Sequence, residues 1–372
     1  MKQSHRIAGF LAALGVVALL VAGCSGSNAP TLPSPDGGSG EYHVTVTPGG
    51  AGLTPDQLPD TLGRSNFTVT LDGKPTRVIS AERAGAGTRP LFICFIIDTT
   101  GSMSGPIAGV KSSIQAFADT LSGRPVTWAG VEYGDGTPLD GVNTWDFFGS
   151  ADQRTKFDPS TNLTGFKDWI NTLDANGGGD GAENPLDPLM ETKLPAPNGY
   201  GWSIPAGADR YYIVITDIGA HESTDGAGGS SPAPNPFCSY TGAQVLSAFR
   251  GWGVINCVSP DYSGSWTTPT SVKSNQPGVA PEVYVSDYGW DVRELADGGP
   301  ADKRTHSGTG GIWVTFPPGG NVDLTTLGIT ALIGESYTVT FVKSPELTSA
   351  DLKVIATWAG GSATWDYPDY TF

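Results

Sequence analysis

Three oxygen-bearing side chains stand at alternate positions in Asp98-Thr99-Thr100-Gly101-Ser102-Met103-Ser104: Asp98, Thr100 and Ser102. One carboxylate beside two hydroxyls is a hard-oxygen donor set, suited to Mg²⁺, Ca²⁺ or Mn²⁺ rather than zinc. Two later segments add carboxylates. Gly177-Gly178-Gly179-Asp180-Gly181 is a Gly-rich loop that carries Asp180 just before a helical pattern, and its glycines let the backbone approach an ion closely. Tyr211-Tyr212-Ile213-Val214-Ile215-Thr216-Asp217 is an apolar run ending in a carboxylate, with His221 four residues on. The same residues also suit plainer work. Asp98 and Asp217 fit strand-end caps or turn formers, and Thr100 and Ser102 fit caps of the next helix. Glu183 fits a first-turn helix acid. His221 suits either a supporting position or a solvent-facing loop, and Glu132 and Asp135 either approach the same place or are solvated loop acids.

Catalytic patterns are thin, and the chain is not expected to be an enzyme. Gly101-Ser102-Met103-Ser104-Gly105 places Met where a nucleophile elbow needs Ser. Outside the leader, His43, His221 and His306 are the available imidazole bases, none beside an obvious nucleophile. No Cys pair has zinc-site spacing, and no pair of acids is singled out for glycoside hydrolysis. The 10 Trp, 12 Tyr and 14 Phe suit a core, or the face of a glycan-binding surface.

Elements that would position these groups follow from the apolar patterns. Leu91 to Ile97 is unbroken and apolar, as in a strand buried on both faces of a parallel sheet. Beyond the polar turn, Pro106 opens a helix with apolar residues at Ile107, Val110, Ile114, Phe117 and Leu121. Further strands are expected at Val126 to Tyr133, Trp145 to Phe148, Tyr211 to Thr216 and Gly253 to Val258. Helices are expected at Thr164 to Leu173, near Asn184 to Glu191, at Ala243 to Arg250 and at Trp290 to Ala296. From about 89 to 304, strands alternating with helices predict a parallel sheet covered by helices. Its carboxyl edge, where open α/β sheets bind ligands, would carry Asp98 and Asp217.

The flanks read differently. Residues 41–88 and 305–372 contain short alternating runs such as Val44-Thr45-Val46, Phe67-Thr68-Val69-Thr70-Leu71 and Tyr337-Thr338-Val339-Thr340-Phe341, the signature of strands with one wet face. Each flank has about three strands, marginal for an independent domain. Together they predict one β-sandwich with the α/β unit inserted between its halves.

At 372 residues the chain has room for two or three domains. Its 52 Gly and 29 Pro imply many turns and long loops. A net charge of −16 without a basic stripe argues against nucleic acid as a partner. Lys2, His5 and Arg6 precede an apolar run from Ile7 to Ala22 that ends in Val21-Ala22-Gly23-Cys24. This is the layout of an export signal over residues 1–23. Its small-small-Cys ending resembles the bacterial lipobox, which implies acylation of Cys24. An ordinary signal peptide containing a Cys, or a retained membrane anchor, has the same outline. Residues 24–40, rich in Ser, Pro and Gly, read as a lipidated flexible tether. Cys238 and Cys257 lie close enough in sequence for a disulfide outside the cytoplasm, and Cys94 reads as a buried thiol in mid-strand.

With Asp98, Thr100, Ser102, Gly177 to Asp180 and Asp217 taken together, residues 89 to about 316 resemble the von Willebrand factor type A domain family. Its metal-ion-dependent adhesion site uses Asp-x-Ser-x-Ser, a Thr after a Gly pair and an Asp ending a later strand. The resemblance implies a von Willebrand factor A-like (Rossmann-like) fold: a mostly parallel sheet with helices on both faces. It also implies a divalent cation, Mg²⁺ or else Ca²⁺ or Mn²⁺, held by Asp98, Thr100, Ser102, Asp180 and Asp217. Thr309-Gly310-Gly311 is similar to a segment often seen late in such domains. Asp180 departs from the family pattern by standing where a metal-linked Thr is usual. A third carboxylate raises cation affinity and weakens the pull on an incoming Glu or Asp.

Three functional expectations follow. The first is a metal-dependent, adhesion-type lipoprotein of the bacterial envelope, anchored at the outer membrane or cell surface, with an extracellular or envelope protein as ligand. The second is an envelope structural or assembly factor whose metal only braces the fold. The third is a secreted hydrolase that uses the α/β unit for targeting.

Overall fold

Leu91–Asp98 forms a strand buried along its whole length, and the neighbouring strands Val126–Tyr133 and Asp209–Ile215 are buried throughout as well. The computed structural model describes residues 40–53, 57–84, 89–139, 154–177, 182–223, 238–260, 290–296, 308–317, 322, 324 and 329–372. The chain divides into two compact units, Met1–Leu32 and Pro33–Phe372. The described residues all belong to the second. The expected export signal, Cys24 and the expected tether up to residue 39 lie outside them, as do Asp180, His306 and the strand expected at Trp145 to Phe148.

In chain order the elements are β1 (Glu41–Val46), β2 (Phe67–Leu71), β3 (Lys74–Thr76), β4 (Val78–Arg83), β5 (Leu91–Asp98), α1 (Ile107–Thr120), β6 (Val126–Tyr133), β7 (Lys156–Ser160) and α2 (Leu163–Thr172). There follow α3 (Leu186–Lys193), β8 (Asp209–Ile215), α4 (Gly242–Phe249), β9 (Val254–Ser259), β10 (Trp313–Thr315), α5 (Ile329–Glu335), β11 (Tyr337–Val342), β12 (Ser349–Trp358) and β13 (Gly361–Thr371). They build a three-stranded sheet β1-β11-β4, a six-stranded sheet β10-β9-β8-β5-β6-β7 and a four-stranded sheet β13-β12-β2-β3.

The expected fold class is corrected by this pairing. Among the described residues, six of the ten strand pairings are antiparallel. The four parallel ones join β10, β9, β8, β5 and β6 within a single sheet. The chain is mixed α/β with antiparallel pairing in the majority, and a mostly parallel, von Willebrand factor A-like sheet does not describe it. The physical reason is that long, doubly buried apolar runs give a strong signal, whereas Thr-Val alternations give a weak one. The weaker signal belongs to more strands.

Local chemistry explains the central elements. α1 buries Ile107, Val110, Ile114 and Phe117 on one stripe, against Leu91, Ile93, Phe95 and Ile97 of β5. Phe166 of α2 stacks on Trp128 of β6 at 5.3 Å between ring centroids. On the other side of the sheet, Tyr212 of β8 meets Phe249 of α4 edge to face at 5.0 Å. The helix expected at Trp290 to Ala296 is a single 3-10 turn, Val292–Leu295. The Asp291 carboxylate engages both the backbone N–H and the guanidinium of Arg293, which closes the turn locally. β7 was not expected from the sequence, because Asp158 and Pro159 break its apolar pattern.

Strands from both flanks share one core that includes Val44, Val69, Val339, Val354 and Trp365. Trp313–Thr315, expected in the second flank, instead pairs in parallel with β9. Hydrogen bonds among the described residues tie this β-rich part to the six-stranded sheet. Asp209, at the start of β8, accepts from Thr338 Oγ1 of β11 at 2.6 Å and from Arg89 Nε at 3.1 Å. Thr47 donates to the carbonyl of Gly310, while Thr47's own carbonyl accepts from Trp365 Nε1 at 2.7 Å. At Gly311 a Cβ would sit 1.9 Å from the Ile255 carbonyl oxygen, so only glycine lets the chain pass there.

Breaking the Asp209 link should be costly, because it leaves Arg89 and Thr338 facing a buried gap. Asp209→Ala is expected to lower unfolding free energy by about 3–5 kcal/mol, measured by urea denaturation. Asp209→Asn, which still accepts from Thr338, should recover part of that. A loss below about 1 kcal/mol for the alanine variant would contradict this role.

Candidate metal centre

At the carboxyl ends of β5 and β8, parallel pairing in the register Ile97↔Ile215 sets Asp98 beside Thr216. Asp98 is fully buried. Its Oδ1 accepts from the Thr100 backbone N–H at 2.9 Å and from Thr100 Oγ1 at 2.7 Å. Its Oδ2 accepts from Thr216 Oγ1 at 2.8 Å. Thr100 Oγ1 lies 3.2 Å from Ser102 Oγ, and Ser102 Oγ donates to Asp217 Oδ1 at 3.0 Å. Four residues expected to share a site, Asp98, Thr100, Ser102 and Asp217, therefore form one continuous chain of oxygen contacts. The strand ends at Ile215, one residue short of the expected Thr216, where the Thr216 hydroxyl turns to the Asp98 carboxylate and to the backbone of Ile218.

The turn is fixed by its neighbours. Thr99 N–H donates to the Tyr133 carbonyl at 3.0 Å, Asn176 N–H to the Thr99 carbonyl at 2.9 Å, and Gly101 N–H to the Gly177 carbonyl at 2.9 Å. Asp180 lies outside the described residues, but the loop's flanks are described. Gly177 is tied to Gly101, and Glu183 N–H donates to the Gly219 carbonyl at 3.2 Å.

Two carboxylates at this edge disturb each other. Burial raises the proton affinity of Asp98, opposed by hydrogen bonds from Thr100 and Thr216 and by the Arg154 charge. Burial, and then the Asp98 charge, push Asp217 up to about 6. A hard cation fits this donor set on chemical grounds, since it would offset the repulsion while taking oxygens from both acids and both hydroxyls. Among the described residues, no group of three or more His, Cys, Asp and Glu side chains is arranged as a metal cage.

Other candidates are engaged elsewhere. His221 is fully buried, with Nε2 3.8 Å from Asp135 Oδ1, and its backbone N–H donates to the Glu183 carbonyl at 2.7 Å. Glu132 accepts from the Thr155 backbone N–H. Thr309 is structural: its hydroxyl donates to the Leu295 carbonyl at 2.7 Å and accepts from Ile255 N–H at 2.8 Å. The disulfide expected between Cys238 and Cys257 is not formed, and Cys94, Cys238 and Cys257 are buried thiols outside any disulfide. Cys257 sits within β9 with its Sγ 3.1 Å from the Val292 carbonyl, and Cys238 sits against Asp187. Sequence reasoning missed Thr216 and Arg154. A hydroxyl closing an apolar strand was a visible signal for the first; the second stands in no sequence pattern and had none.

No protein-family model matches the chain, and no curated protein does. Among solved structures the chain aligns with the pilus adhesin SpaC from Lactobacillus rhamnosus GG in its open conformation. The TM-score is 0.34 and the identity 7%, over 82% of this chain and 47% of that one. The chain thus spans about half the length of that protein, and a likeness at this level decides neither fold nor function. Among the described residues, no helix is long and apolar enough to cross a membrane.

The raised proton affinity of Asp217 gives a pH dependence. The folded state holds its proton up to about 6, against an ordinary value of 3.8. Stability from this group is therefore full below the lower value and is lost as pH rises through the upper one. In chelator, Asp217→Asn should be more stable than the wild type at pH 7.5, by on the order of 1 kcal/mol after allowing for partial exposure. The gap should narrow at pH 5 and close only below the ordinary value of 3.8. Thermal melts at both pH values check this, and an equal gap at both would contradict it.

Proposed function

We propose that this chain is a divalent-cation-dependent binding protein of the bacterial cell envelope, with a protein displayed outside the cell as its ligand. The reading is supported by one observation above all: Asp98, Thr100, Ser102 and Asp217 meet in a single run of oxygen contacts at a sheet edge. These residues would hold Mg²⁺, Mn²⁺ or Ca²⁺. The ion would supply a Lewis-acid position to which a partner's oxygen ligand attaches. The chain's own part is to present both hydroxyls on a rigid turn and to keep Asp98 away from water through Thr100 and Thr216. The likeness of these residues to the adhesion-site motif, and the export-like leader, point the same way.

A second reading is favoured by the complete burial of Asp98. A cation held that deep would brace two strand ends without meeting a partner. Binding to an immobilised extracellular-matrix extract separates the two, since only the first reading makes that binding sensitive to chelator.

Calorimetric titration of the exported form with Mg²⁺, Mn²⁺ and Ca²⁺, beside Asp98→Ala, tests cation binding itself. The expected result is one site in the wild type and at least a hundredfold loss of affinity in the variant. Equal affinity in both, or no heat with any of the three ions, would overturn the proposal.

A further inference from the structure

Beneath the turn that carries Thr100 and Ser102 lies a buried arginine. Arg154 is 8% exposed. Its Nη1 donates to the Thr99 carbonyl at 3.0 Å and to Thr99 Oγ1 at 2.8 Å, and its Nη2 donates to the Asn176 carbonyl at 3.1 Å. One guanidinium thereby grips two segments, the turn after β5 and the strand of chain leading to Gly177. A third segment closes around it. At Gly134, just past β6, a Cβ would stand 2.7 Å from Arg154 Nη2 and 3.0 Å from Thr100 Cγ2. Glycine at 134 is therefore what lets the guanidinium and the Thr100 side chain approach the same backbone.

The planar fork adds fixed geometry to the charge. Donors on two nitrogens, held at fixed angles, set the Thr99 and Asn176 carbonyls in register with each other. Thr99 is bonded to the residues that offer oxygens on either side, through the chain itself and through Asn176 N–H. Shifting the Thr99 carbonyl would rotate Thr100 and move its hydroxyl from Asp98. A lysine ammonium in the same place keeps the charge and loses that geometry.

We propose that Arg154 is a positioning residue for the cation site, fixing the Asp98–Ser102 turn in the narrow geometry a small, rigidly octahedral ion demands. The inference rests on the cation reading given above. Outer-layer partners that orient metal ligands typically change affinity ten- to a hundredfold when altered. Mg²⁺ tolerates distortion less than Ca²⁺ does, so selectivity is the sharper readout. A merely structural arginine would alter stability and leave the ratio of the two affinities alone.

The test is calorimetric titration of the full exported chain with Mg²⁺ and with Ca²⁺, for wild type, Arg154→Lys and Arg154→Gln, beside thermal melts in chelator. Both variants are expected to lose about tenfold or more in Mg²⁺ affinity and less in Ca²⁺ affinity, with lysine failing to rescue. Thr99→Val, which removes one acceptor of the guanidinium, should shift the ratio in the same direction by a smaller factor. It decides the matter if the arginine variants do not fold. Affinities within twofold of wild type, or an equal loss for both ions, would overturn the inference while leaving the cation reading intact. A wild type that binds neither ion removes the cation reading, and the inference falls with it.

Discussion

A carboxylate withdrawn from water costs several kcal/mol unless hydrogen bonds or an opposite charge replace its hydration. Asp98 meets that demand with three donated bonds, two from Thr100 and one from Thr216. These bonds decide the shape of the surrounding backbone. They curl the chain after β5 back on its own strand end, stop β8 one residue early, and leave Ser102 placed to reach Asp217. The second carboxylate then has the charge of the first beside it. Under the proposed reading, a hard cation would offset the negative charge that these two acids gather at one edge.

Hydrogen bonds hold the turns around that edge from several sides. The turn after β5 is bonded to the end of β6, to Asn176 and to Gly177, and a buried guanidinium fills the space below it. The β-rich part of the chain is joined to the same sheet through the buried Asp209 and through Thr47 at Gly310. The Asp209 tie enters at the opposite end of β8 from Thr216. One strand therefore bears the link to the flanks at its start and the candidate site at its finish.

Much of the local structure was legible because it rests on contiguous patterns. The apolar run before Asp98 and the three-four spacing from Ile107 to Phe117 each describe one element packed on one core. The approach of Asp98, Thr100, Ser102 and Asp217 to one another was legible too, since two apolar strands ending in acids carry their ends to the same edge. What failed depends on partners distant in sequence. The balance of parallel and antiparallel pairing is set by how the Thr-Val strands of two flanks find each other across more than 250 residues of chain. Thr309-Gly310-Gly311 resembled a segment often seen late in von Willebrand factor A domains, but its hydroxyl and its missing side chains serve close packing against Leu295 and Ile255. Cys238 and Cys257 were matched on nearness in sequence, whereas each thiol is taken up by a different carbonyl or carboxylate.

The most direct observation would be an anomalous-scattering map from crystals of the exported chain soaked in Mn²⁺. The result expected is a single strong peak at the ends of β5 and β8, within about 2.5 Å of oxygens from Asp98, Ser102 and Asp217. A map with no peak there, or with its only peak beside other residues, would contradict the assignment of this edge as a cation site.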